Sequence, residues 1–270
     1  MGHGTGFRGP LRYRNAGGQL NECLLGFVDK LSNIAGDTEH TRVFGDAQDC
    51  CPAPGIDVGA AETATFQPYA LVSGSANLPT VPTTQPDTAG GVLRVQTAVT
   101  ADDDSAILQL SPGGAGAAGI YTYSTTKRMW FCARLALQNV ANGECLVGLV
   151  NKAYHPAAFT TLPTSGLFFL KTVTDTDFTF HARESATSTT VTTVIGSALA
   201  NDTFVELAFM VEDGSVSVFV NGALKSSGVN AGDGNLPLTT DQLKLVLANA
   251  TNAAATRYAD YDYWLVARER

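Results

Sequence analysis

The sequence predicts a mainly β chain, a two-layer antiparallel sandwich preceded by an N-terminal arm that contains one short helix. Three observations carry that expectation. Residues 204–227 read as a three-strand meander, and from Gly91 onward the chain breaks into short runs separated by turn residues. A helical spacing of apolar residues occurs only over 19–35.

In the meander, Val205, Leu207, Phe209 and Val211 fall on one side of a strand, and Val216, Val218 and Val220 continue that side on the next. Glu206, Ser215 and Ser217 fall on the other. Period-two alternation marks a strand buried on one face. Asp213-Gly214 and Asn221-Gly222 are pairs that accept the positive φ angles of tight hairpin turns. Met129, Phe131, Ala133, Leu135 and Leu137 repeat the inner pattern near 128–138. Phe178, Phe180 and Ala182 do so near 177–184, which leaves Thr179, His181 and Arg183 pointing outward. Further strands are expected near 92–99, 106–110, 119–124, 144–152, 166–173, 188–195, 243–249 and 257–268. With no helix among them, residues 92–270 read as one sandwich domain.

Residues 1–91 read differently. The first 18 are rich in Gly, and Arg8, Arg12 and Arg14 give them local positive charge. Leu20, Leu24, Phe27, Leu31 and Ile34 then recur at steps of four, three, four and three, the single stripe of a helix over about 19–35. Gly36 stands where such a helix would end. The stripe docks either on the chain's own sandwich or on a partner subunit. Residues 37–91, with Pro79, Pro82 and Pro86 among Ala and Thr, are expected to form an extended, irregular connector.

A net charge of −8 without any basic run argues against a nucleic-acid partner, because phosphate contacts need clustered Lys and Arg. No run of 18 apolar residues occurs, so no membrane span is expected, and residues 1–14 lack the apolar centre of a secretory signal. Five cysteines is an odd number. Cys132 and Cys145 lie on consecutive predicted strands and could pair across them, although reduced thiols are the simpler expectation. No CxxC spacing occurs, and His3, His40, His155 and His181 are scattered, so no zinc site is expected.

The stretch Asp202 to Leu224, with its strand, acidic-Gly turn, SVSVFV strand and Asn-Gly turn, resembles the laminin-G and concanavalin A-like jelly-roll superfamily. The final strand, Tyr258 to Arg268, is similar to the closing strand of that fold. The resemblance covers about 92–270. Joined to a long arm without a secretory signal, it resembles tailed-bacteriophage head decoration, or cement, proteins. That likeness implies a structural virion protein on the capsid exterior, made in the host cytoplasm. It would bind the major capsid protein and other copies of itself, as a trimer, through Arg8, Arg12, Arg14, Leu20, Leu24, Phe27, Leu31 and Ile34. It implies no cofactor.

Glycoside hydrolysis needs two carboxyl groups flanking the scissile bond, which this fold typically delivers as Glu-x-Asp-x-x-Glu. That triplet is absent, as is a Gly-x-Ser-x-Gly elbow. The Gly-rich run 113–119 lacks the Lys-Ser/Thr ending of a phosphate loop. No catalytic residue is therefore expected, and the chain reads as a non-enzyme. Asp102, Asp103 and Asp104, and also Asp175 and Asp177, match no calcium-loop spacing and read as solvated turns. The alternative function is a carbohydrate-binding, lectin-like module of a phage fibre or surface protein. It would use Tyr258, Asp260, Asp262 and Trp264, which alternation places on one strand face.

Overall fold

A strand with one apolar side must bury it against a second layer, and two antiparallel sheets do so here. The computed structural model describes residues 92–97, 104–110, 121–151, 162–184, 191–194, 199–230, 236–251 and 257–268. It also describes the backbone of six earlier strands at 11–14, 20–23, 41–46, 64–66, 69–73 and 80–84.

The first sheet runs from edge to edge through Ala223–Asn230 (β17), Ser215–Val220 (β16), Val205–Glu212 (β15), Met129–Leu137 (β10), Tyr258–Arg268 (β19), Leu93–Gln96 (β7) and Thr80–Thr84 (β6). Thr41–Asp46 (β3) pairs with the second half of β19. The second sheet runs through Val191–Val194 (β14), Thr179–Arg183 (β13), Gly166–Lys171 (β12), Gly143–Asn151 (β11), Gln242–Thr251 (β18), Asp104–Leu110 (β8), Tyr69–Ser73 (β5) and Ala64–Phe66 (β4). Tyr121–Thr122 (β9) pairs with the start of β18. Leu11–Arg14 (β1) and Leu20–Cys23 (β2) pair only with each other among the described residues.

Each strand expected after Gly91 is present. The layers are sealed by their inner side chains. Phe131 and Phe209 of the first sheet stack at 5.0 Å, and Phe180 of the second meets Phe209 at 5.6 Å and Phe169 at 5.3 Å. Offset and edge contacts of this kind each add about 0.5–1.5 kcal/mol beyond the area they bury. Asp213 and Gly214 take φ of 49° and 71°, and Asn221 and Gly222 take 48° and 76°, so both hairpin turns use the left-handed pairs that their sequences supply.

The leading residues depart from expectation. Leu20–Cys23, the start of the expected helix, is a strand paired with Leu11–Arg14 in the register Arg14 to Leu20 and Arg12 to Glu22. A four-residue start satisfies its backbone as well in a hairpin as in a helix, and Asn21 and Cys23 are weak helix formers. The rest of the stripe, Leu24, Phe27, Leu31 and Ile34, lies outside the described residues, as does Arg8.

The connector is not irregular throughout. β3 extends β19, β5 extends β8 and β6 extends β7, so the sheets reach well before Gly91. Short runs such as Thr41-Arg42-Val43-Phe44 and Tyr69-Ala70-Leu71-Val72 hold β-branched and aromatic residues. They cap ladders that would otherwise end in unpaired backbone groups. Pro82 sits where the β6–β7 register slips, between Thr80 and Thr83, a position an edge strand tolerates.

The outer side of the second sheet is also apolar and buried, through Ile107, Leu146, Val150, Phe168, Leu170, Val246 and Ala248. His181 belongs to this side and is not a solvated residue. It is 7% exposed and stacks flat on Phe168 at 5.1 Å, because the face it shares is apolar and covered. Cys132 and Cys145 are both buried and neither is in a disulfide, in line with the simpler expectation, since the consecutive strands β10 and β11 enter different sheets.

Candidate functional site

One irregularity on β19 decides which side chains reach the outer face of the first sheet. Against β10, Arg134 pairs with Tyr263 and Leu135 with Tyr261, which leaves Asp262 as the extra residue of a bulge. A bulge reverses the facing of everything beyond it. Ala259, Tyr261, Trp264 and Val266 therefore enter the core between the sheets. Trp264, expected beside the aspartates, is fully buried there and leaves the strip. Tyr263 takes the outward place.

What remains outside is an ordered polar strip. Asp260 accepts two hydrogen bonds from Arg94 of β7, Nε to Oδ1 and Nη2 to Oδ2, both at 2.8 Å. The Arg94 guanidinium lies 3.3 Å from the centroid of the Tyr258 ring. Asp262 repeats the arrangement on the other flank. Arg134 of β10 donates Nη1–H to its Oδ2 and lies 4.4 Å over the Phe204 ring. Charge-assisted fork contacts and a guanidinium on an aromatic face are both favourable where water is partly excluded. The Asp side chains are only 10% and 12% exposed, while Arg94 is 18% and Arg134 37% exposed.

A third carboxyl adjoins them. The Tyr263 hydroxyl donates to Glu206 Oε2, and both residues are buried. Asn221 holds the Glu206 backbone from the next hairpin, accepting its N–H through Oδ1 at 2.9 Å and donating to its carbonyl at 2.9 Å. At the end of the strip the Tyr258 hydroxyl donates to Asp202 at 3.3 Å. Asp202 takes a left-handed φ of 53°, and its N–H donates to the Leu137 carbonyl at 2.8 Å, which fixes the loop that presents Phe204.

Burial pushes the Asp260 carboxyl above its usual range, and the hydrogen bond and charge of Arg94 pull it partway back. Elsewhere the buried thiol of Cys145, 3.7 Å from the Tyr261 hydroxyl, is pushed up to about 12 by desolvation and is no nucleophile. The strip can thus hold hydrogen-bonding groups of a ligand in fixed directions. It offers four carboxyl groups, those of Asp202, Glu206, Asp260 and Asp262, in different surroundings.

Of the expected sugar residues, Tyr258, Asp260 and Asp262 come together and Trp264 does not. Arg94, Arg134, Phe204, Glu206 and Tyr263 were missed. A signal existed: Arg94 and Arg134 each interrupt an otherwise apolar run, Leu93-Arg94-Val95 and Ala133-Arg134-Leu135. Of the expected attachment residues, Arg12 and Arg14 lie on β1 and Leu20 on β2, remote in sequence from this strip. Asp175, read as a solvated turn, accepts from the Thr172 N–H at 3.1 Å. Among the described residues no three His, Cys, Asp or Glu side chains group to hold a metal ion.

No family model and no curated protein matches the sequence. Solved structures do match the fold. A protein of unknown function from Shewanella oneidensis MR-1 superposes with a TM-score of 0.52 at 10% identity, covering 92% of this chain and 96% of the other. Arcelin-5, a lectin-like defense protein from Phaseolus vulgaris, gives 0.51 at 10% identity over 86% and 99%. The endo-1,3-beta-glucanase of Streptomyces sioyaensis gives 0.51 at 12% identity over 86% and 97%. The expectation of a non-enzyme is corrected by the last of these, because a glucanase is built on the same fold and a missing triplet excludes no reaction. The chain has the lectin-like, concanavalin A-like β-sandwich fold.

Proposed function

We propose that the chain recognises a polysaccharide along the outer strip of its first sheet. The observation that carries this reading is the doubled set on β19, Arg94–Asp260–Tyr258 and Arg134–Asp262–Phe204. A sugar hydroxyl is donor and acceptor at once, and a fixed guanidinium–carboxylate pair offers both partners side by side. The rims of Tyr258 and Phe204 add apolar surface for the C–H faces of a sugar ring. Support from the fold is analogy only: arcelin-5 is described as lectin-like, and the glucanase is named for a 1,3-β-glucan.

Affinity electrophoresis of the full chain through gels containing soluble polysaccharides tests the reading, with reducing-end release followed in the same samples. Retardation that Tyr258→Ala weakens at least tenfold supports it. Unchanged migration across a broad panel of polysaccharides overturns it.

A second reading keeps the chain as a virion decoration protein on the capsid exterior, bound to a major capsid protein and to its own copies. One observation favours it: the β1–β2 hairpin, which carries Arg12, Arg14 and Leu20, joins neither sheet among the described residues. β3 to β6 pair with the chain's own sheets, so the attachment would rest on a segment shorter than the whole leading third. Removing residues 1–23 and measuring association with capsids by co-sedimentation tests it. Undiminished association would end this second reading.

A further inference from the structure

The outer face of the first sheet is not polar throughout. Beside the Arg134–Asp262 pair, two rows of outward positions cross its strands: Ala208, Cys132 and Leu265 in the nearer, Met210, Trp130 and Ala267 in the farther. These six alternate with Phe131, Phe209 and Val266, which pack toward the second sheet, so they face away from it. All six are nonetheless buried. Trp130 is fully so, and an outer-face side chain of that size reaches this state only under a covering segment. The cover must also supply an acceptor to the Trp130 indole N–H, which is buried without one among the described residues.

We infer that residues 24–34 of this same chain are the cover, seated through Leu24, Phe27, Leu31 and Ile34. Steps of three, four and three put these side chains on one face of a helix, and ten helical steps span about 15 Å. The patch matches that length. Crossing from β15 through β10 and β19 to β3 takes three strand spacings, about 14 Å. The chain also re-enters the described structure at the border of the patch. Residues 35–40 alone separate Ile34 from Thr41, which pairs with Arg268 next to Ala267. Six residues reach about 21 Å at full extension. That tether holds the segment near this face and gives it an effective concentration that a separate chain does not match. The outer face of the second sheet is a poorer seat. It lies a further sheet spacing of about 10 Å away, round an edge, and Leu162 already packs against it. With the stripe so engaged, attachment to another subunit would fall to the β1–β2 hairpin and the residues before it.

Photo-cross-linking of the full chain tests the assignment. Phe27→p-benzoylphenylalanine keeps a large aromatic side chain in the stripe. Irradiation in dilute solution should bond it, within one chain, to a peptide of β10, of β15 or of residues 264–268. A bond to the second sheet, a bond between two chains, or no bond overturns the inference. Thiol alkylation read by peptide mass spectrometry gives a second measurement, since Cys132 lies in the patch and Cys145 in the core between the sheets. Leu31→Ser combined with Ile34→Ser should make Cys132 react about tenfold faster or more, as local protection is lost, and leave Cys145 protected. Cys132 reacting no faster than in the unaltered chain, with Cys145 protected, overturns the inference. Where both thiols react, the variant has unfolded and the cross-link decides.

Discussion

Asp260 and Asp262 stand two residues apart on β19 yet take their arginines from opposite flanks, Asp260 from Arg94 of β7 and Asp262 from Arg134 of β10. The central strand is thereby tied to both neighbours across its outer face, in addition to the backbone ladders. Arg94→Ala strands a carboxylate that is only 10% exposed, and the expected loss is about 3 kcal/mol. Arg134→Ala strands an almost equally buried Asp262 but removes a guanidinium that is itself 37% exposed and gives its partner one hydrogen bond rather than two, so the expected loss is smaller, about 2 kcal/mol. Urea midpoints at unchanged m-value measure both. A larger loss for Arg134→Ala than for Arg94→Ala would contradict the difference between the two arginines.

The Asp260 carboxyl sits above its ordinary value of 3.8 in the folded chain, from burial first, with Arg94 opposing. The folded state therefore holds this proton at pH values where the unfolded state has released it. The sign follows: stability contributed by this group falls as pH rises from about 3.8 through the folded value and is flat above it. Asp260→Asn should remove that component. Arg94→Ala should extend it to higher pH, since the opposing influence is gone. Denaturation midpoints between pH 3.5 and 6 read both effects.

Trp264 and Tyr258, equivalent by simple alternation, should behave oppositely. Trp264 fills the core, so Trp264→Ala should cost about 3–5 kcal/mol. Tyr258 is half-buried under Arg94 at the surface, so Tyr258→Ala should cost about 1 kcal/mol and act mainly on ligand binding. A Trp264→Ala protein with native stability would mean that the bulge at Asp262 is absent.

His181 is held near a pKa of about 4, below its ordinary 6.5, by burial first and then by the charge of Arg183, with Asp175 opposing. The unfolded chain binds a proton below pH 6.5 that the folded chain refuses until about pH 4. Stability is thus complete above 6.5 and falls by roughly 3 kcal/mol as the solution is acidified through that window. His181→Phe keeps a ring on Phe168 and should flatten the slope. A slope unchanged in that variant would assign it to other groups.

Gly148→Ala tests how closely β11 and β12 approach. A Cβ there would lie 2.5 Å from the Leu167 carbonyl oxygen and 2.6 Å from the Phe168 Cα, both backbone, at a φ of +153°. Neither can swing aside as a side chain could. The expected destabilisation is about 3 kcal/mol or more, with faster amide exchange concentrated on Leu146–Val150 and Leu167–Leu170.

What the residues disclosed, and what they hid, divides along physical lines. The turns at Asp213-Gly214 and Asn221-Gly222 were legible because left-handed backbone has few willing residues. The inner faces of β10, β15 and β16 were legible because burial on one side imposes period two. The bulge was not, since one inserted residue leaves the local pattern of Tyr, Asp and Trp looking regular while reversing everything after it. Arg94 and Arg134 lie 166 and 128 residues from the aspartates they grip, and no local spacing reports such a meeting. β3 to β6 were hidden because short capping strands need only backbone partners and carry little periodicity. Leu20 was misassigned because its apolar spacing downstream outweighed a hairpin partner upstream.

β19, the last of the described strands, runs through the middle of the first sheet, between β10 on one side and β3 and β7 on the other. Thr41 and Arg268, partners in that ladder, are 227 residues apart in sequence. During synthesis the ribosome therefore releases every other strand of that layer before the one that joins them. Until it emerges, the early strands and the β10–β17 half have open seams facing each other across a gap. A stop codon at Tyr258 would remove the central stave itself, and leave two half-sheets with nothing to close against.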